Sequence, residues 1–252
     1  GQDRTAKVWD LRTRQCILEF GEHRDSVLCV ACSPDGSRAL TGSADGTAKL
    51  WDVGTGATLF EFKCSSAVVG VAFSNDGDRV VLGVNNGTMR IFHARSYVQS
   101  IELSGHKNQV TSVSFDSKGM RVVTGGADRK AKVGDALTGR LLAAMTAHDD
   151  EITSVGFSID GTRIVTASDD QSIRVWDSKT GQELAKLVYF ERDNMRKITS
   201  VAISPDGQRV VGNSIHEGAH IWDVTTGRTI AKWNQDRLRS ARVAFSKDGK
   251  HV

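Results

Sequence analysis

Residues 27–52 read VLCVACSPDGSRALTGSADGTAKLWD. Short β-branched runs alternate here with Ser33-Pro34-Asp35-Gly36 and Ala44-Asp45-Gly46, turn sequences in which Asp and Gly accept the left-handed backbone that tight hairpins demand. The stretch closes on Leu50-Trp51-Asp52, and that ending, or a degenerate form of it, recurs along the chain. The first residue of the Trp-Asp pair or its relic falls at Trp9, Trp51, Phe92, Gly134, Trp176 and Trp222, in steps of 42, 41, 42, 42 and 46. The turn glycines Gly36, Gly77, Gly119, Gly161, Gly207 and Gly249 step by 41, 42, 42, 46 and 42, so both ladders carry the long interval at the same place. Two markers in register identify a tandem array.

Within one period the runs 27–33, 37–41, 47–52 and 58–62 predict four short antiparallel strands, with a further turn at Gly54-Thr55-Gly56. No stretch sustains a 3.6-residue apolar period, so almost no helix is expected. A period just above forty with this ending indicates an all-β chain of four-stranded propeller blades. Five Trp and nine Phe among small apolar residues fill the gaps between neighbouring sheets.

Val8-Trp9-Asp10, Leu50-Trp51-Asp52, Val175-Trp176-Asp177 and Ile221-Trp222-Asp223 resemble the signature of WD40-repeat proteins, and the resemblance covers essentially the whole chain. The Gly-His that opens such repeats is intact at Gly105-His106 and altered to Gly21-Glu22-His23 and Ala147-His148. The resemblance implies that a serine or threonine and a turn aspartate hydrogen-bond with the histidine and tryptophan. Two repeats retain all four as His23, Ser43, Asp45, Trp51 and His148, Ser168, Asp170, Trp176. These are expected to be structural: a set repeated once per blade serves the blade, not one catalytic or metal centre. The fourth marker is Gly134, with Gly126 at the serine position, so an incomplete network and a soft or remodelled blade are expected there although His106 and Asp128 remain. The third repeat has Phe92-His93 with Asn86 at the turn, and the sixth has His216 in place of the aspartate.

The 252 residues, 39% hydrophobic, are expected to form one propeller domain over 1–252, with half blades at 1–20 and 243–252. Residues missing outside both ends would give a seven-bladed ring, the favoured count; pairing of the two ends would close six blades instead. No apolar run approaches the roughly 20 residues that cross a bilayer. Cys29 and Cys32 have C-x-x-C spacing, but residues three apart on a strand face opposite ways and nothing completes four ligands, so no metal or disulfide is expected among Cys16, Cys29, Cys32 and Cys64. Four such cysteines fit a reducing, intracellular setting.

No nucleophile, acid–base pair or phosphate loop can be assembled; Thr55-Gly56, Thr138-Gly139, Thr180-Gly181 and Thr226-Gly227 recur once per repeat as hairpin turns. A non-enzymatic binding module without cofactor or small-molecule substrate is expected. The resemblance implies that partners bind the loops before each first strand and the turns between second and third strands. By position these contribute Arg24, Asp25, Lys107, Gln109, Asp149, Asp150, Glu151, Asp169, Arg196, Lys197, Arg237 and Arg239. Acids dominate near Asp149 and bases toward Arg196 and Arg237, which predicts an extended polar protein or peptide partner within a multiprotein complex. The formal charge of +3, without interleaved aromatics, argues against nucleic acid without excluding it, although basic residues cluster over 191–242. The long interval falls in the loop 188–197, whose Tyr189, Phe190 and Met195 are further contact candidates. A recruiting scaffold is the first expectation; a permanent subunit of a cytoskeletal, ciliary or ribonucleoprotein assembly, or the sensor domain of a longer signalling protein, are the alternatives.

Overall fold

The computed structural model describes residues 1–188, 197–214, 218–233, 242–246 and 248–252. The chain divides into two compact units, residues 1–110 and 111–252. The first opens with a two-stranded sheet, β1 (Ala6–Trp9) and β2 (Cys16–Phe20). Two four-stranded sheets follow: β3 (Val27–Cys32), β4 (Arg38–Ser43), β5 (Thr47–Asp52), β6 (Thr58–Lys63); then β7 (Val68–Phe73), β8 (Arg79–Val84), β9 (Thr88–His93), β10 (Gln99–Ser104). The second unit holds three more: β11 (Val110–Phe115), β12 (Arg121–Gly126), β13 (Ala131–Asp135), β14 (Leu141–Met145); β15 (Ile152–Phe157), β16 (Arg163–Ser168), β17 (Ser172–Asp177), β18 (Glu183–Val188); and β19 (Ile198–Ile203), β20 (Arg209–Ser214), β21 (Gly218–Asp223), β22 (Thr229–Trp233). Every sheet is an antiparallel meander in chain order, and the described residues contain no helix. Period, strand number and strand bounds follow the sequence pattern to within about two residues.

The sheets share a local design. Ser33 Oγ donates to Asp35 and accepts from the Arg38 N–H, fixing the turn around Gly36 at φ +71°. The same Ser–Asp pair recurs at Ser74–Asp76, Ser158–Asp160 and Ser204–Asp206. Each third strand is bulged against the fourth immediately before the marker residue, as at Leu50/Trp51, Val175/Trp176 and Ile221/Trp222. One extra residue on the outer strand strengthens the local twist there.

Within each unit, cores lie between successive sheets. In the first unit Leu40, Leu50, Phe62, Val68, Leu82 and Phe92 pack together, and Trp51 packs on Phe20 of the preceding sheet with ring centroids 4.7 Å apart and planes tilted by 31°. In the second unit Trp176 packs with Val123, Val133 and Met145 of the sheet before it, and Trp222 with Val165, Val175 and Leu187. The approach is close enough that a Cβ on Gly42 would stand 2.6 Å from Cys29 Sγ and 2.7 Å from Val68 Cγ1.

A feature the sequence reading did not single out joins the sheets through arginines. Arg38 donates to the Gly77 and Ala94 carbonyls of the next sheet at 2.9 and 3.0 Å. Arg121 donates to Gly161, Arg163 to Gly207 and Arg209 to Gly249, each acceptor being the turn glycine one period on. Arg38, Arg121 and Arg209 also lie 5.1–5.7 Å over Phe73, Phe157 and Phe245. Guanidinium suits this joint because it can donate in several directions and stack at once. Its signal was visible: each arginine stands two residues after a turn glycine and repeats with the glycine ladder.

The sheet β11–β14 forms all four strands despite Gly134, which pairs with Val122 and Leu141, because ladder bonds need no side chain. Residues 243–252, expected as the start of a half blade, make the turn bonds Ser246 N–H to His251 and Gly249 N–H to Ser246, but no strand is formed by the described residues there. An extended segment becomes a strand only where a ladder holds it.

Candidate interaction face and its supporting network

The sheet β3–β6 shows how the repeat's polar residues are used. His23 Nε2 and Trp51 Nε1 both meet Thr41 Oγ1, at 2.7 and 2.8 Å, and His23 Nδ1 lies 3.0 Å from Asp45 Oδ2. Thr47 Oγ1 donates to Asp45 Oδ1 at 2.6 Å. The sheet β15–β18 repeats this with His148 Nε2 and Trp176 Nε1 on Thr166 Oγ1 at 2.7 and 2.9 Å, and His148 Nδ1 on Asp170 Oδ2 at 2.7 Å. Both histidines and both tryptophans are at most 5% exposed, so every bond here replaces one to water that burial removed.

The hydroxyl joining histidine to tryptophan is therefore Thr41 or Thr166, two residues before the expected Ser43 or Ser168. The serines are in the network but work at its other end. Ser43 Oγ donates to the Asp25 carbonyl and accepts from the Asp45 N–H; Ser168 Oγ donates to the Asp150 carbonyl and accepts from the Asp170 N–H. Positions i and i+2 share one face of a strand, so alternation in the sequence does not separate the two hydroxyls.

The aspartates complete the link to the loops. Burial acts to raise the Asp45 carboxyl, but bonds from the Thr47 hydroxyl, the Arg24 N–H and His23 outweigh it and hold the group well below the usual carboxylate range. Asp170 is held low in the same way against burial, by His148, Ser172 and the Asp149 N–H. The Arg24 N–H donates to Asp45 Oδ2 at 2.8 Å, and the Asp149 N–H to Asp170 Oδ2 at 3.1 Å. The network thus fixes the backbone of Arg24 and Asp25 in one unit and of Asp149 and Asp150 in the other.

In each unit the chosen loops and turns lie at one end of the strands. The N–H groups of Ala44, Asn85 and Asp169, which open the turns between second and third strands, donate at 2.9 Å to Ser26, Ala67 and Glu151 in the loops before the first strands. In the first unit the loop of Lys107 and Gln109 runs beside the β8–β9 turn, where a Cβ on Gly87 would be 2.6 Å from the His106 carbonyl and 2.8 Å from that of Asn108. In the second unit Asp150, Glu151 and Asp169 come together around Lys197. Lys197 Nζ lies 2.5 Å from Asp169 Oδ2, whose side chain is only 9% exposed. The Asp169 carboxylate, with Glu151 and Asp150 behind it, raises the Lys197 ammonium. Lys197, expected on a separate basic side, is here the counter-ion of the acidic group. Arg196, Arg237 and Arg239, with Tyr189, Phe190, Met195 and His216, lie outside the described residues.

The cysteines are thiols: Cys29 is buried and Cys32 exposed, on opposite faces of β3, and burial pushes the Cys64 thiol up.

Residues 14–52, 97–135 and 139–177 match the family model described as WD domain, G-beta repeat. The chain is similar to protein groucho of Drosophila melanogaster, 30% identical over 110 residues, 44% of this chain and 15% of groucho. It is 36% identical over 72 residues to small ribosomal subunit protein RACK1y of Oryza sativa subsp. japonica, 29% of this chain and 21% of that protein. It is 29% identical over 101 residues to the U3 small nucleolar RNA-associated protein 15 homolog of Mus musculus, 40% of this chain and 19% of that protein. The matched segments therefore span about a fifth or less of these curated relatives. With its repeat period, its four-stranded antiparallel sheets and two complete His–Thr–Trp–Asp networks beside these three matched segments, the chain carries WD40 repeats.

Proposed function

We propose that the chain is a non-catalytic, intracellular protein-interaction scaffold whose loop end binds an extended polar protein or peptide. The observation that carries this is the anchoring of candidate contact residues by the buried networks: Asp170 and Ser168 hold the backbone of Asp149 and Asp150, and Asp45 and Ser43 that of Arg24 and Asp25. Loops held in this way meet a partner already ordered, which reduces the entropy lost on binding. Around Asp149, Asp150 and Glu151 the surface favours cationic groups of the partner.

The test is affinity purification of the full-length parent protein from its source cells, wild type beside Asp149→Lys/Asp150→Lys, with the stoichiometry of co-purifying proteins measured. Substoichiometric, salt-sensitive partners lost from the variant support recruitment through this end. Partners retained at wild-type levels count against it.

A second reading, a permanent architectural subunit, is favoured by relatives named as a ribosomal subunit protein and a small nucleolar RNA-associated protein. Near one-to-one, salt-resistant partners in the same purification would select it.

A further inference from the structure

A hairpin turn follows each marker residue, at residues 10–14, 52–56, 93–97, 135–139, 177–181 and 223–227. These turns share one backbone form. The fifth residue donates its N–H to the carbonyl of the first at 2.7–3.0 Å and holds a φ between +60° and +75°. Five of them carry aspartate at the first position and threonine at the fourth. The N–H groups of Thr13, Thr55, Thr138, Thr180 and Thr226 reach their aspartates at 2.7–2.8 Å. The hydroxyls of Thr55, Thr180 and Thr226 donate to the same carboxylates at 2.8, 2.8 and 2.9 Å.

The turn between β9 and β10 inverts this chemistry. It reads His93-Ala94-Arg95-Ser96-Tyr97, with an imidazole where the carboxylate stands elsewhere and an arginine before the hydroxyl residue. Ser96 is exposed, and its hydroxyl makes no hydrogen bond among the described residues. The second strand adds to the imbalance. Arg38, Arg121, Arg163 and Arg209 stand directly opposite Asp52, Asp135, Asp177 and Asp223, whereas Arg79 stands opposite His93. Basic residues therefore gather at the end of β9 with no carboxylate inside the turn. Asp78 reaches Arg95 from outside it at 3.0 Å, but the two side chains are 52% and 81% exposed, so water weakens the pair. The turn keeps its form without the cap because the Tyr97 ring stacks on Phe60, centroids 4.5 Å apart and planes within 11°.

We infer that Ser96 is a phosphorylation site, modified by a protein kinase that selects basic residues before the serine, and that the phosphate takes the place of the missing carboxylate. The kinase transfers the γ-phosphoryl group of a nucleoside triphosphate. The bond from Ser96 Oγ to phosphorus forms as the bond to the diphosphate breaks, and the hydroxyl proton is released to solvent. The shared backbone form brings the first side chain within reach of the fourth hydroxyl, so the phosphate would lie beside the His93 imidazole and next to Arg95, whose N–H groups can donate to its oxygens. The five threonines offer a kinase a hydroxyl already held by an acid three residues before it. This turn lies at the opposite end of β9 from the β8–β9 turn, so the inference does not rest on the loop-end reading.

Phosphopeptide mass spectrometry of the full-length parent protein, isolated from its source cells with phosphatases inhibited, should place phosphate on Ser96 and not on Thr13, Thr55, Thr138, Thr180 or Thr226. In parallel, phosphoserine is incorporated genetically at position 96 and the Tm compared with that of the unmodified chain. A rise of about 2–4 °C is expected. In His93→Asp the same phosphate would face a carboxylate, and the rise should vanish or reverse. Ser96 unmodified in the cells, the threonines modified to the same extent, or a phosphate-induced shift that is absent or identical in His93→Asp would overturn the proposal.

Discussion

The sheets β11–β14 and β15–β18 are neighbours in one unit with the same meander and the same bulge before the marker residue, yet one carries Gly134 where the other carries Trp176. Both complete four strands. In β15–β18 the tryptophan is 3% exposed, fills the core shared with Val123, Val133 and Met145, and shares Thr166 with His148. The comparison separates two jobs that the repeat combines. Turns and ladder bonds build a sheet; the tryptophan network joins that sheet to the one before it and holds the loop above it.

The sharpest way to break the comparison is to give the intact sheet its neighbour's residue. Trp176→Gly should cost about 3–5 kcal/mol in urea denaturation, the range for removing a large buried aromatic. A loss below about 1 kcal/mol would mean that the ladder alone sets stability. Next, Thr166→Val keeps shape but strands the Trp176 Nε1 donor and leaves His148 Nε2 without its hydroxyl partner, and should cost about 1–3 kcal/mol. Ser168→Ala leaves that centre intact and should cost less, about 1 kcal/mol. An inverted order would return the central role to the serine.

The smallest expected effect is on the acid limb. Because the Asp170 carboxyl is held below its unfolded value of 3.8, its contribution is fully present above that pH and is lost as pH falls toward the folded value. Asp170→Asn should be less stable at neutral pH but flatten the decline in Tm below about pH 4 relative to wild type. A decline of unchanged steepness would place the acid sensitivity elsewhere.

Fold class was readable in the sequence because a period of 41 to 46 residues recurs on two markers, and turn chemistry at Asp35-Gly36 or Asp45-Gly46 allows few alternatives. The network was half readable. Histidine, aspartate and tryptophan were placed by motif, but Thr41 and Ser43 share a strand face, and only geometry shows which hydroxyl lies between the rings. The arginine joints were not singled out: the linear pattern shows each arginine two residues after a turn glycine, but not that its acceptor is the glycine one period on. The ion pair of Lys197 with Asp169 was hidden for the same reason, its members being 28 residues apart.

The arginine joints bear on how such a chain can change length. Arg38, Arg121 and Arg163 each belong to one repeat, while the carbonyls of Gly77, Gly161 and Gly207 that receive them belong to the next. The sheets β15–β18 and β19–β22 are therefore each donor on one side and acceptor on the other. Duplicating or deleting a whole period among the sheets of the second unit leaves each remaining donor facing an acceptor, whereas a fractional insertion strands one of each. A gene assembled from such units can gain or lose them by unequal recombination without redesigning a single interface.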